Sequence, residues 1–169
     1  MRAGLCCLFF VMLLSGCGIG FLSEPTPEHT VPWMHTADQY LGKHEHHDRQ
    51  LLTEFITVDP VTTAWCAAFV NSVLAQHGIA GSDSVHPHPL LARSFLNWGE
   101  PRTGEPRIGD VVVFPRGSAG WQGHVGFYAG SFTNRDGQTL WIILGGNQQN
   151  SVSYDSYDPQ TALAVRYHR

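Results

Sequence analysis

Residues 64–78 read AWCAAFVNSVLAQHG. Cys66, Phe69, Val70, Val73, Leu74 and His77 recur at the i, i+3, i+4, i+7 spacing of one helical face. Gly78 closes the pattern as a residue free to turn left-handed. The spacing predicts a buried helix with Cys66 in its first turn and Thr62 and Thr63 as candidate caps. Upstream, residues 33–41 (WMHTADQYL) and 49–58 predict two shorter helices, stopped by Gly42 and Pro60. Downstream, residues 90–98 (LLARSFLNW) predict another, ended by Gly99. Beyond it the period changes to two. Strands are expected at 110–114, 124–129, 139–144, 151–154 and 163–167, with NRDG (134–137) as the turn between the second and third. Trp141 reads as core. Leu140, Ile142 and Leu144 lie on the opposite alternation, which suggests a sheet covered on both sides. Helices followed by a meander of strands argue for an α+β fold, with helices on one face of an antiparallel sheet of about five strands.

Cys66 stands apart from the other cysteines, Cys6, Cys7 and Cys17, which all lie near the N-terminus. That end reads MRAGLCCLFFVMLLSGC, with Arg2 before an apolar run of about ten residues from Leu5 to Leu14. The run suits the core of an export signal and is short for a membrane span. Leu14-Ser15-Gly16-Cys17 resembles the lipobox of bacterial lipoproteins. The resemblance implies removal of residues 1–16 and lipidation of Cys17, and Gly18 rather than Asp implies the periplasmic face of an outer membrane. Two or three acyl chains would make a lasting membrane anchor. An ordinary secretory signal with a chance cysteine is the other reading. Under either, Cys6 and Cys7 leave with the signal. If Cys17 is lipidated, Cys66 is unpaired in an oxidising compartment, where cysteines usually pair. It is then a candidate reactive thiol.

Residues 17–32 are rich in Pro, Ser, Thr and Glu and read as a tether, which leaves 33–169 as one domain with a sizeable core. Net charge is −4 and Lys43 is the single lysine, so there is no basic patch for nucleic acid.

A cysteine nucleophile needs a base within reach and a group to orient that base. The first turn of a helix favours the thiolate, and its free N–H groups can hold an oxyanion, with the Cys66 amide as the natural donor. A thiol so placed beside a histidine is expected to ionise below neutral pH. Among ten histidines, His124 sits where a Gly-rich loop enters a strand, in WQGHVGFY, with Gly123 and Gly126 leaving room around it. His77 reads as a helix-end residue, and His86 and His88 as loop. Asn147, in LGGNQ after the most apolar strand, is either the orienter of His124 or a plain turn residue.

WCAAFVNSVL, RIGDVVVF, WQGHVGFYAG and LGGNQQNSVS occur in the order and spacing of the papain-like NlpC/CHAP superfamily of bacterial cell-wall hydrolases. They are similar to its small CHAP-like group with the pattern WCxxFVN…GDxVVF…GHVGFY…GGNQ. The resemblance runs from Trp33 to Arg166. It implies a papain-like fold, Cys66 as nucleophile, His124 as base, Asn147 as third residue, and a peptidoglycan amide as substrate. No metal or cofactor is required, and the protein would act as a monomer. The neighbours Trp65, Trp121, Gln122 and Gln148 are candidate substrate contacts. Two departures stand out. Trp65 replaces the Asp or Gln that often precedes the nucleophile, and Gly145 replaces an acidic residue found two places before the asparagine in many relatives.

Lys43-His44-Glu45-His46-His47-Asp48 holds possible zinc ligands, but adjacent loop residues rarely converge on one ion, and a solvated loop is the plainer reading. Trp98 and Trp121 could line a groove, with the loop 116–123 as its wall. Two other functions share these residues: a silent peptidoglycan-binding lipoprotein, and a thiol acyltransferase. The mass of the product separates the second from a hydrolase.

Overall fold

The computed structural model describes residues 31–169. The signal segment, Cys17 and residues 17–30 of the tether lie outside the described residues. Three helices come first: α1 (Pro32–Asp38), α2 (Arg49–Ile56) and α3 (Cys66–Ala75). α1 opens one residue earlier than its apolar pattern, on Pro32, whose missing N–H is not needed at that position. The threonines do not cap α3. The N–H groups of Thr62 and Thr63 turn back onto the Asp59 carbonyl, and Trp65 stands at the N-cap with no side-chain cap bond. Residues 92–97 form a 3₁₀ helix.

The strands are β1 (Glu100–Pro101), β2 (Val111–Pro115), β3 (Gly123–Thr133), β4 (Thr139–Gln148), β5 (Ser151–Tyr157) and β6 (Ala164–Tyr167). They form one antiparallel sheet in the order β1-β6-β2-β3-β4-β5, one strand more than expected. β1 has two residues, one of them proline, and carries no period to read. The last strand returns between β1 and β2. Asp110, at the entry to β2, takes a two-pronged bond from Arg102 at 2.7 Å and 2.7 Å and tethers this edge.

α3 lies on one face of the sheet. Its predicted stripe is buried from Cys66 to Leu74, as are Ala67 and Ala68 beside it, while His77 lies half-buried in the turn beyond Ala75. A helix apolar on nearly all sides belongs inside a fold, and the two alanines let its neighbours approach closely. Phe69, Val70, Leu74, Phe127, Leu144 and Val152 share this core. At its polar positions α3 is tied down. Asn71 accepts from the Ser82 amide at 2.8 Å and donates to the Pro89 carbonyl at 3.0 Å, and His77 bonds Thr36 of α1 at 2.8 Å. The other face of the sheet carries a smaller cluster of Val112, Phe114, Tyr128 and Ile143, with Trp141 and Tyr157 half-buried against it. This second cluster accounts for the apolar residues on both alternations of β4.

Candidate active site

Cys66 is the first residue of α3 and is 2% exposed. The backbone N–H groups of Val125, Ala67 and Cys66 itself are directed at its sulfur. The Val125 contact brings the sulfur against the residue that follows His124, so helix and strand meet at this pair.

His124 lies near the start of β3 and is 1% exposed. It stacks on Tyr157 (centroids 5.5 Å apart, planes 8° apart), which stacks in turn on Phe114 at 4.5 Å. Its Nε2 bonds the Gln148 Oε1 at 2.9 Å. The Gln148 amide has one satisfactory orientation. Its nitrogen donates to the Ser153 carbonyl at 2.6 Å and the Ile143 carbonyl at 3.3 Å, and its oxygen also accepts from the Tyr157 hydroxyl at 3.0 Å. An amide oxygen only accepts, so His124 Nε2 must carry the proton. Nδ1 then presents a lone pair, and it is buried with no hydrogen-bond partner among the described residues. A buried acceptor without a donor is costly and rare. Here it is the atom that would take the thiol proton.

The residue bonded to His124 is therefore Gln148, and Asn147 makes no bond to the imidazole among the described residues. β3 and β4 pair Phe127 with Leu144, and continuing that register would set residue 147 opposite His124. The register with β5 shifts by one between Gly145 and Gln148, a β-bulge, and Asn147 sits in it with φ 56°. A bulge re-aims the side chains beyond it. This one passes the place opposite His124 to Gln148. Asn147 instead offers its backbone carbonyl to Arg116 Nη2 at 3.1 Å. Gly145 leaves little room for the acidic residue of other relatives, because a Cβ there would lie 3.3 Å from both His124 Nε2 and Gln148 Oε1.

The CHAP domain profile matches residues 58–147, more than half of the 169-residue chain. The chain belongs to the CHAP family. CHAP domains are hydrolases of the peptidoglycan amidase and peptidase type. No curated protein matches the chain. The matched span takes in Cys66 and His124 and stops one residue short of Gln148.

A cleft of about 170 Å³ leads to the CHAP domain's Cys66. Leu90, Leu91 and Ala92 form one side, and Arg116, Trp121 and Gln122 line it too. Trp121 is 62% exposed. The loop that carries it is built rather than loose. Gln122 Oε1 accepts from the Ala119 amide at 2.9 Å, and the Gln122 carbonyl accepts from Arg93 Nε at 2.7 Å. Gln122 thus lines the cleft while its carboxamide oxygen is spent inside the loop.

Trp65 and Gln148, expected as substrate contacts, do not line the cleft. Trp65 is fully buried and donates to the Glu45 carboxylate at 3.1 Å. Its ring fills the space above Gly146, where a Cβ would come within 2.5 Å of it. Gln148, 1% exposed, faces His124 rather than the cleft. Trp98 is buried, donating to the Ala80 carbonyl at 2.7 Å. In the His-rich loop, Glu45 is committed to Trp65, and Asp48 accepts from Lys43 and from the His44 amide. Among the described residues no three His, Cys, Asp or Glu side chains are grouped to hold a metal ion.

Burial changes the resting charges expected for the pair. It pushes the Cys66 thiol up, against the opposing pull of the Val125 amide and the Arg116 charge. His124 is pushed down to about 3, first by burial and then by Arg116, with the Gln148 bond acting the other way. Helix-start N–H groups do not outweigh desolvation this complete. Both shifts favour the neutral thiol and the neutral imidazole over the ion pair. Tyr157 is pushed up to about 12, chiefly by burial, so it remains a hydroxyl that donates to Gln148. Sequence reading missed Tyr157 and Arg116. Tyr157 lies in the polar run SYDSYD, and only the sheet brings it over His124.

Proposed function

We propose that this CHAP domain cleaves an amide bond of peptidoglycan, in a stem peptide or cross-bridge or between muramic acid and L-alanine, through Cys66, His124 and Gln148. One observation carries the reading. The Gln148 bond fixes the proton on Nε2 and leaves the Nδ1 lone pair for a thiol at the foot of a cleft.

As the Cys66 sulfur attacks the amide carbonyl, its proton passes to Nδ1, so charge separates only along the reaction path. The Cys66 backbone N–H receives the developing oxyanion. The imidazolium, held by Gln148, returns the proton to the leaving amine as the C–N bond breaks and a thioester remains. Water, deprotonated by His124, then attacks the thioester and frees the acid and the thiol. Every proton moves through Nδ1, and no cofactor enters. Arrest of the thioester by an amine in place of water would make the acyltransferase. Lipidation of Cys17, beyond the described residues, would hold the enzyme at the periplasmic face of the outer membrane.

The test is digestion of purified sacculi by a soluble form that starts after Cys17, beside Cys66→Ala and His124→Ala, read by mass spectrometry. New amine and carboxyl ends are expected from the unmodified protein alone, and their masses name the bond. Release by folded Cys66→Ala at the full rate would defeat the thiol mechanism.

A further inference from the structure

Arg116 follows Pro115 at the end of β2 and is the one charged side chain among the described residues lining the Cys66 cleft. Leu90, Leu91, Ala92 and Trp121 give the cleft apolar walls. Arg49 pairs with Asp59 and Arg102 with Asp110, whereas Arg93 and Arg166 are spent on backbone carbonyls. Arg116 meets no carboxylate among the described residues. It donates to the Asn147 carbonyl and lies near the Tyr157 hydroxyl. A guanidinium has five N–H donors, so several remain unspent, and the side chain is exposed to solvent.

The bond to Asn147 ties the cation to the strand that carries Gln148. The bulge that turns Gln148 toward His124 also turns the Asn147 carbonyl toward Arg116. The Tyr157 hydroxyl that bonds Gln148 is also within reach of Arg116. A planar fork tethered at one nitrogen is suited to a carboxylate, which it can grip with two parallel bonds. It lines the same cleft as Cys66, so whatever it grips lies beside the thiol.

Resting on the hydrolase reading above, we propose that Arg116 is a specificity residue that binds a free carboxylate of the substrate next to the scissile amide. The enzyme then prefers stem peptides with free carboxylates over those in which the same groups are amidated. A second benefit follows from charge. The bare Arg116 cation opposes protonation of His124. A carboxylate seated on it neutralises that opposition just when the imidazolium must form. A carboxamide cannot do so.

The experiment compares two disaccharide–peptide muropeptides, one with the glutamate and diaminopimelate carboxylates free and one with both amidated. Amine release gives kcat/KM for the unmodified protein, Arg116→Gln and Arg116→Lys. Binding of both muropeptides to Cys66→Ala is measured by calorimetry. A charge-assisted bond supports a preference of about 10- to 100-fold for the free acid. Arg116→Gln should bring the ratio to within about threefold of unity, mostly through KM, with Arg116→Lys between. A ratio near unity in the unmodified protein overturns the proposal. So does an equal fall on both substrates in Arg116→Gln, which would make Arg116 an electrostatic aid to catalysis only. If neither compound is cleaved, the hydrolase reading fails. The calorimetry then decides the carboxylate site alone: tighter binding of the free acid supports it, and equal binding overturns it.

Discussion

Replacing Gln148 by leucine tests the orientation of the base. The side chain keeps most of its volume and loses every polar contact. His124 Nε2 loses its acceptor at 2.9 Å, the Tyr157 hydroxyl loses its acceptor at 3.0 Å, and the Ser153 carbonyl loses its donor at 2.6 Å. The Ile143 carbonyl loses a weaker donor at 3.3 Å. The three shorter bonds, one buried and two half-buried, at about 1 kcal/mol each give a stability loss of about 3 kcal/mol, which a urea titration would resolve. The effect on turnover is separate. Without Gln148 nothing holds the proton on Nε2, and the imidazolium loses a bond worth about 1.5–3 kcal/mol to a charged donor. At 1.4 kcal/mol per factor of ten, kcat should fall about 10- to 100-fold among molecules that remain folded. Asn147→Ala is the matched control. Its bond to Arg116 runs through the backbone carbonyl and survives the change. Its cost is the left-handed φ of 56°, about 1 kcal/mol of stability, with kcat within about threefold. Both variants would be assayed for release from sacculi after the folded fraction is fixed by circular dichroism. A hundredfold loss in Asn147→Ala beside near-normal turnover in folded Gln148→Leu would refute the assignment of Gln148 and restore Asn147.

Two further predictions concern stability. His124 has a folded pKa of about 3 against 6.5 for the free side chain. Above pH 6.5 it is neutral in both states and adds no pH dependence. As pH falls toward 3 the unfolded chain takes up a proton that the folded chain refuses, so stability is lost, by about 2–3 kcal/mol between pH 6.5 and 4.5. Urea midpoints across that range should fall more steeply for the unmodified protein than for His124→Asn, and parallel curves would mean that His124 is not held neutral. Gly146→Ala would place a Cβ 2.5 Å from the Trp65 ring and 2.8 Å from the Phe69 Cβ. Neither can withdraw from a filled core, so about 2–3 kcal/mol of stability should go, read as a lower melting temperature, and an unchanged melt would show that Trp65 has room to move.

Much of the molecule is legible from local pattern. The helix at 66–75 announces itself because burial against a sheet demands apolar residues at helical spacing, and that requirement is written in Phe69, Val70, Val73 and Leu74. The meander after Gly99 is legible for the same reason at period two. What local pattern misses is what depends on pairing partners. β1 is two residues long and exists only because β6 lies beside it. Thr62 and Thr63 look like caps, but the chain folds back onto the Asp59 carbonyl there and Trp65 holds the N-cap position. Trp65 and Gln148 look like cleft residues because they flank the nucleophile and the asparagine. Burial against Glu45 and Gly146, and against His124, turns both inward.

By itself the sequence determined the α+β order, the helix that opens on Cys66, and a histidine set where a Gly-rich loop becomes a strand. Each of these is a matter of neighbours along the chain. The tertiary structure alone decided which residue bonds that histidine. A period of two is blind to a bulge, and one extra residue between Gly145 and Gln148 exchanges the faces on which Asn147 and Gln148 stand. It also set the direction in which burial pushes the pair, toward the neutral forms. Helix position favours a thiolate, but desolvation is a property of everything packed around Cys66 and His124, and the residues that supply it are scattered from Trp65 to Tyr157.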